Sequence, residues 1–223
     1  MNFFGHAALA TQHFEAAVPA PSELQLAKLC AGAMLPDFIG MLRLGRPHAT
    51  DEALARGVAF HHRTDEAFHD LPPFLGLSRA AFAWLSERGL PRGPARAVAH
   101  IGVEMLLDEP LAEDARARAA YRAALSVPLA GLLELPGPHE LGRLEELRAA
   151  LRERAHGARH PSPALVAERI RRTLSGRPRL ETNDAGQALL GEWVAHTRPL
   201  VFAEAPDILA RLRLLLANFG GAQ

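Results

Sequence analysis

The 223-residue chain carries 25 basic and 25 acidic side chains, so its formal charge is zero and no global field draws in nucleic acid or an anionic membrane. That length is enough to bury a real hydrophobic core, and the expectation is a single domain. One cysteine, Cys30, excludes an internal disulfide and fits a reducing compartment.

The first segment, MNFFGHAALATQHFEA, has neither a basic n-region nor a long apolar run and is not read as a secretory signal. No stretch approaches the ~20 apolar residues that span a bilayer, so no membrane association is expected and the location is read as cytoplasmic. Prolines and glycines divide the chain into helical segments with scarcely any β-type alternation, which predicts an all-α protein. Pro21-Ser22 opens a helix from Glu23 through Leu35, with Leu24, Leu26, Ala27, Cys30 and Ala31 on one stripe, and Pro36 kinks or restarts it. Asp51 caps the next helix, which Leu71-Pro72-Pro73 stops. Ser78 opens another that ends at Gly89, and Pro91 to Leu107 forms the one after, ended or bent by Pro110. Further helices are expected at 112–126, 138–155, 162–175, 183–197 and 204–217, with HGARHPSP at 156–163 as the linker candidate.

Two of these helices carry stripes of chemistry. His61, Asp65 and His69 run i, i+4, i+8, and so do His100, Glu104 and Asp108, which puts each set on one helical face. The second stripe sits among Ile101, Val103, Met105, Leu106 and Leu107, so its acids are expected to be buried and to need a cation, a proton or a partner. A helix rises about 1.5 Å per residue, which sets the ends of a stripe about 12 Å apart. Metal–ligand bonds are only about 2 Å long. One ion would therefore take an adjacent pair from one helix and further ligands from another, or one stripe would serve two ions. His62 points about 100° away from His61 on the helix, and His61 is the preferred ligand. His6 and Asp37 are further candidates near helix ends, and His69-Asp70 reads as a short HD pair. A mixed histidine and carboxylate shell suits Mn²⁺, Fe²⁺, Zn²⁺ or Mg²⁺. With no G-x-S-x-G elbow, Walker loop or dinucleotide glycine motif in the sequence, metal-assisted hydrolysis is the most compatible reaction class.

At these same residues the chain resembles the acyl carrier protein phosphodiesterase family, relatives of the HD-type metal phosphohydrolases. MNFFGHAALA is similar to that family's opening M-N-F-x-x-H-x-x-L-A and matches His6. GAMLPDFIG resembles its G-N-L-L-A-D-F segment and matches Asp37. GVAFHHRTDEAFHDLP is similar to G-x-x-x-H-R-x-I-D-x-x-T-D-x-x-P, matching His61, Asp65, Asp70 and Pro72, and SGRPRL resembles a later R-R-P-R-L. There are two departures: Glu104-Met105 stands where the family has Asp-His, and His62 stands where it has arginine.

The resemblance implies a single-domain, HD-domain-like helical bundle that hydrolyses holo-acyl carrier protein to the apo-protein and 4'-phosphopantetheine with Mn²⁺. It implies Asp37, Asp65 and Asp70 as catalytic residues and a metal held by some of His6, Asp37, His61, Asp65 and Glu104. His69, His100 and Asp108 form the second-choice set. An acidic carrier protein would be received by Arg43, Arg46 and Arg63. A phosphohydrolase acting on a small nucleotide or phosphoester, and a non-catalytic helical binding module, remain alternative readings. The sequence does not specify an oligomeric state.

Overall fold

The computed structural model describes residues 1–154, 160–217 and 219. Residues 156–159 of the linker candidate lie outside them, as does residue 155 at the end of the expected 138–155 helix. Nine helices are present among the described residues: α1 Phe3–Glu15, α2 Glu23–Leu42, α3 Glu52–His69, α4 Pro72–Glu87, α5 Arg92–Leu111, α6 Ala115–Ser126, α7 Glu140–Arg154, α8 Pro163–Leu174 and α9 Asp184–Leu216. The only sheet among them is a two-residue antiparallel pairing of β1 His48–Ala49 with β2 Leu133–Glu134. The fold class is an all-α multi-helix bundle, and no described helix is long and apolar enough to cross a membrane.

Several boundaries differ from the sequence reading. The N-terminal segment forms α1, capped by the Asn2 side chain, which accepts from the Phe3 amide at 2.9 Å. Pro36 does not end α2, and α9 continues through Pro199 and Pro206 where two helices were expected. Each proline removes one helical N–H and crowds a carbonyl one turn back. In α9 both prolines face outward while Leu190, Trp193, Val194, Thr197, Val201, Ala205, Ile208 and Leu212 keep a buried three- and four-residue spacing. Burial of that stripe outweighs the two lost hydrogen bonds. Likewise α4 begins at Pro72 rather than Ser78, because a proline in the first turn gives up an N–H that has no helical partner anyway.

Within the chain two compact units are distinguished, each assembled from discontinuous stretches. One comprises the described residues of Asn2–Glu66, Leu111–Gly157 and Arg213–Gln223. In it α1, α2 and α6 pack on one another around Leu9, Phe14, Met34, Phe38 and Phe60, all of them buried. Backbone meets backbone where α2 crosses α3. A Cβ on Gly32 would lie 2.1 Å from the Leu54 carbonyl oxygen, and one on Gly57 would lie 2.1 Å from that of Leu29. Arg148 of α7 is buried and closes the end of α6, donating to the carbonyls of Ala124 at 2.9 Å and Val127 at 2.6 Å.

Asp51 starts α3 as the sequence predicts. Its Oδ1 accepts from the Leu54 amide at 3.0 Å, while its Oδ2 takes the Lys28 ammonium at 2.6 Å and so ties α3 to α2. The lysine contact first, and then the helix amide, holds this carboxyl below its ordinary value near 3.8. Asp51→Ala is expected to lower stability by about 1–2 kcal/mol at neutral pH, measured as a fall in the urea midpoint. The folded-state pKa is depressed, so the stabilisation is complete above the unfolded value and fades as pH falls through the folded one. Wild type and variant should therefore converge in acid; a gap that widens there would contradict the assignment.

The other unit comprises Met1 and the described residues of Ala67–Pro110 and Ala158–Leu212. Its core is built on Phe68 and Phe74, whose rings lie 4.2 Å apart, with Leu85, Val98, Val103, Ile170 and Trp193. A Cβ on Gly102 of α5 would fall 2.3 Å from the Trp193 ring, so only glycine lets this tryptophan pack against the helix.

Candidate metal centres

The two stripes resolve into two groups of three ligating side chains, and each follows the same rule: an i, i+4 pair from one helix and one histidine from another. The first group is His61 and Asp65 of α3 with His6 of α1, and the second is His100 and Glu104 of α5 with His69 of α3. In both, the potential ligand atoms lie within 4.8 Å of one another.

In the first group the His6 and His61 rings are 4.0 Å apart, and His6 Nε2 stands 3.5 Å from Asp65 Oδ1. Both histidines are buried, whereas His62 is exposed. His61 Nδ1 donates to the Ala33 carbonyl at 2.9 Å. That bond fixes the tautomer, because a carbonyl only accepts, and it leaves the lone pair on Nε2. Burial, reinforced by the positive charge His6 can carry, pushes the His61 pKa down to about 3. A neutral imidazole oriented through its other nitrogen by a backbone carbonyl is the form in which histidine binds metal.

The second group converges on one oxygen. Glu104 Oε1 lies 3.1 Å from His69 Nε2, 3.2 Å from His100 Nε2 and 3.2 Å from the Met1 amino nitrogen. The two imidazoles stack with centroids 4.9 Å apart and planes 14° from parallel. Burial opposes ionisation of Glu104, yet the amino group and the two histidine hydrogen bonds together outweigh it and hold the carboxyl well below the ordinary range. His100 therefore places an imidazole on Glu104 from one turn earlier, where Glu104-Met105 departs from the Asp-His pair. Both donor sets, histidine nitrogen with carboxylate oxygen, fit a divalent ion of the Zn²⁺, Mn²⁺ or Fe²⁺ kind.

The five residues first read as one ligand set thus divide. His6, His61 and Asp65 come together, Glu104 joins the second-choice residues His69 and His100, and Asp37 belongs to neither group. Asp37 stands on α2 one turn past Ala33, Asp70 is exposed just beyond α3, and Asp108 lies a turn past Glu104 on α5. Of the arginines, Arg43 ends α2 in a left-handed conformation with φ 53° and is exposed, as is Arg46. Arg63 is also exposed and donates to Glu66 on its own helix at 2.9 Å. No family model, curated protein or solved structure matches the chain.

The sequence reading missed the surroundings of His100. A cavity of about 510 Å³ between α4 and α5 is lined by Leu75, Ser78, Arg79, Phe82, Arg92, Arg96, Ala99 and His100. The available signal was the four-residue spacing of Arg92 and Arg96, which carries the His100–Glu104 stripe back to the start of α5.

Proposed function

We propose that the protein is an HD-like metal-dependent phosphodiesterase that hydrolyses holo-acyl carrier protein to the apo-protein and 4'-phosphopantetheine, with Mn²⁺ as its ion. The observation that carries the metal-dependent part is the pair of histidine–carboxylate groups. The carrier-protein part rests on the resemblance of the segments around His6, Asp37 and His61 to Pro72. A divalent ion held by these groups supplies Lewis-acid polarisation of a phosphoryl oxygen and acidifies water beside it.

The chain's own residues do the rest. The Ala33 carbonyl orients His61, burial keeps that imidazole neutral, and Asp65 supplies anionic charge beside it. Glu104 Oε1 positions the Nε2 atoms of His69 and His100, the nitrogens these two imidazoles would present to an ion on giving up their protons. Exposed Arg43 and Arg46 offer cationic contacts to an acidic carrier protein.

The cavity beside His100 favours a second reading, hydrolysis of a small phosphoester. Mass spectrometry of holo-acyl carrier protein incubated with the protein and Mn²⁺, with a chelator control, separates the two. A chelator-sensitive loss of the phosphopantetheine mass is the expected result. An unchanged carrier protein alongside turnover of small phosphodiesters would select the second reading. Failure of both, with metal that cannot be loaded, would leave a helical binding module.

A further inference from the structure

We propose that the cavity between α4 and α5 is a binding site for a phosphorylated amphiphile, a ligand with a phosphate head and an apolar body. The proposal rests on the metal-dependent reading only in sharing His100 with the second ligand group.

The walls divide the work. Leu75, Phe82 and Ala99 supply an apolar surface, while Arg79, Arg92, Arg96 and His100 supply positive or protonatable groups. The volume, about 510 Å³, lies within the ~300–1,000 Å³ range of small-molecule sites. Arg92, Arg96 and His100 are spaced four residues apart on α5, so they form a single edge about 12 Å long. Among the described residues no carboxylate forms an ion pair with Arg79, Arg92 or Arg96. Arg79 spends its Nε–H on the Leu75 carbonyl of its own helix at 3.1 Å. Ser78 Oγ, also in the lining, is buried and without a hydrogen-bond partner among the described residues.

The position of these cations matters as much as their number. Arg92 opens α5 and Arg96 follows one turn later, where the helix dipole is positive and an acidic residue would be stabilising. The first turn contains no acid. Two unpaired guanidinium groups there cost helix stability, and an anion bound across them reverses the sign of that interaction. Guanidinium pairs favour phosphate through parallel N–H donors, and a dianionic head uses more than one of them. The stripe then leads from the arginines to His100 and on to Glu104, so a head seated on Arg92 and Arg96 lies along the helix face that carries the second ligand group.

Isothermal titration of the whole protein in chelator with octyl phosphate, held below its micelle-forming concentration, tests the site without metal or turnover. Octanol and inorganic phosphate serve as comparison ligands. Octyl phosphate is expected to bind at least about tenfold more tightly than either. Arg92→Gln with Arg96→Gln should weaken it about tenfold or more without lowering the melting temperature, since both side chains are exposed and their charges oppose the helix dipole. Phe82→Ala should weaken octyl phosphate and leave inorganic phosphate unchanged. Octanol binding as tightly as octyl phosphate, inorganic phosphate matching it, or indifference to the arginine pair would each overturn the proposal. Metal dependence is read separately, from turnover, so either idea can fail alone.

Discussion

Gly57→Ala is expected to destabilise the protein by about 3 kcal/mol, the upper end of what overpacking costs, and to disturb the first ligand group along with the fold. The added methyl would sit 2.1 Å from the Leu29 carbonyl oxygen and 2.9 Å from the Ala33 amide nitrogen. Carbon and oxygen rest at about 3.3 Å, so α2 and α3 would have to part by about 1 Å at their crossing. No rotamer change relieves this, because the obstacle is backbone. Ala33 is also the residue whose carbonyl orients His61, so the same displacement loosens that bond. Gly40→Ala is the internal control on α2. Its Cβ meets nothing within 4 Å, and the better helix propensity of alanine should make that variant neutral or about 0.5–1 kcal/mol more stable. Urea denaturation of the two variants decides the matter; equal midpoints would show that the crossing tolerates a side chain.

That crossing also shows where the sequence stops being legible. Glycines inside helical patterns signal only a weak propensity cost, and nothing local says that Gly32 and Gly57 face each other across 25 residues of chain. The three- and four-residue patterns of α2, α3 and α5 were readable, because helix class follows from periodicity. The unbroken length of α9 was not, since a rule that ends helices at proline weighs one hydrogen bond against nothing. Its buried stripe from Leu190 to Leu212 is a tertiary quantity. The site was half legible in the same way. Spacing identified the two stripes, and distance arithmetic gave an adjacent pair plus a ligand from another helix as one of the arrangements open to them. Which histidine completes each pair depends on how helices pack: the resemblance groups His6 with His61 and Asp65, while the pairing of His69 with His100 and Glu104 emerges from the structure. Cys30, placed on the apolar stripe of its helix by the sequence, is buried, and burial above all pushes its thiol up to about 12, so it stays protonated at neutral pH.

Two independent groups imply a stoichiometry, and the second large effect is expected there. Metal-loaded wild type should carry about two Mn²⁺ per chain by elemental analysis after removal of free ion, one for each group. Asp65→Asn and Glu104→Gln keep the shape of each side chain but replace an anionic ligand with a neutral amide. Loss of an outer partner of a ligand already weakens metal binding about 10–100-fold, so loss of the ligand itself should empty its group at micromolar ion. Each variant is therefore expected to retain about one ion and the double variant none, with helical circular dichroism unchanged. Phosphodiester hydrolysis should fall at least about a hundredfold in whichever single variant empties the group that faces the reacting phosphate. Asp37→Asn tests the placement from the other side. It lies outside both groups and should leave two ions bound, whereas loss of one would show that Asp37 is among the ligands, as the resemblance allows. Two ions retained in Asp65→Asn would remove the first group from consideration as a metal site, and two retained in Glu104→Gln would remove the second. In the latter case the carboxylate would be left as the structural anchor of His69, His100 and the Met1 amino group.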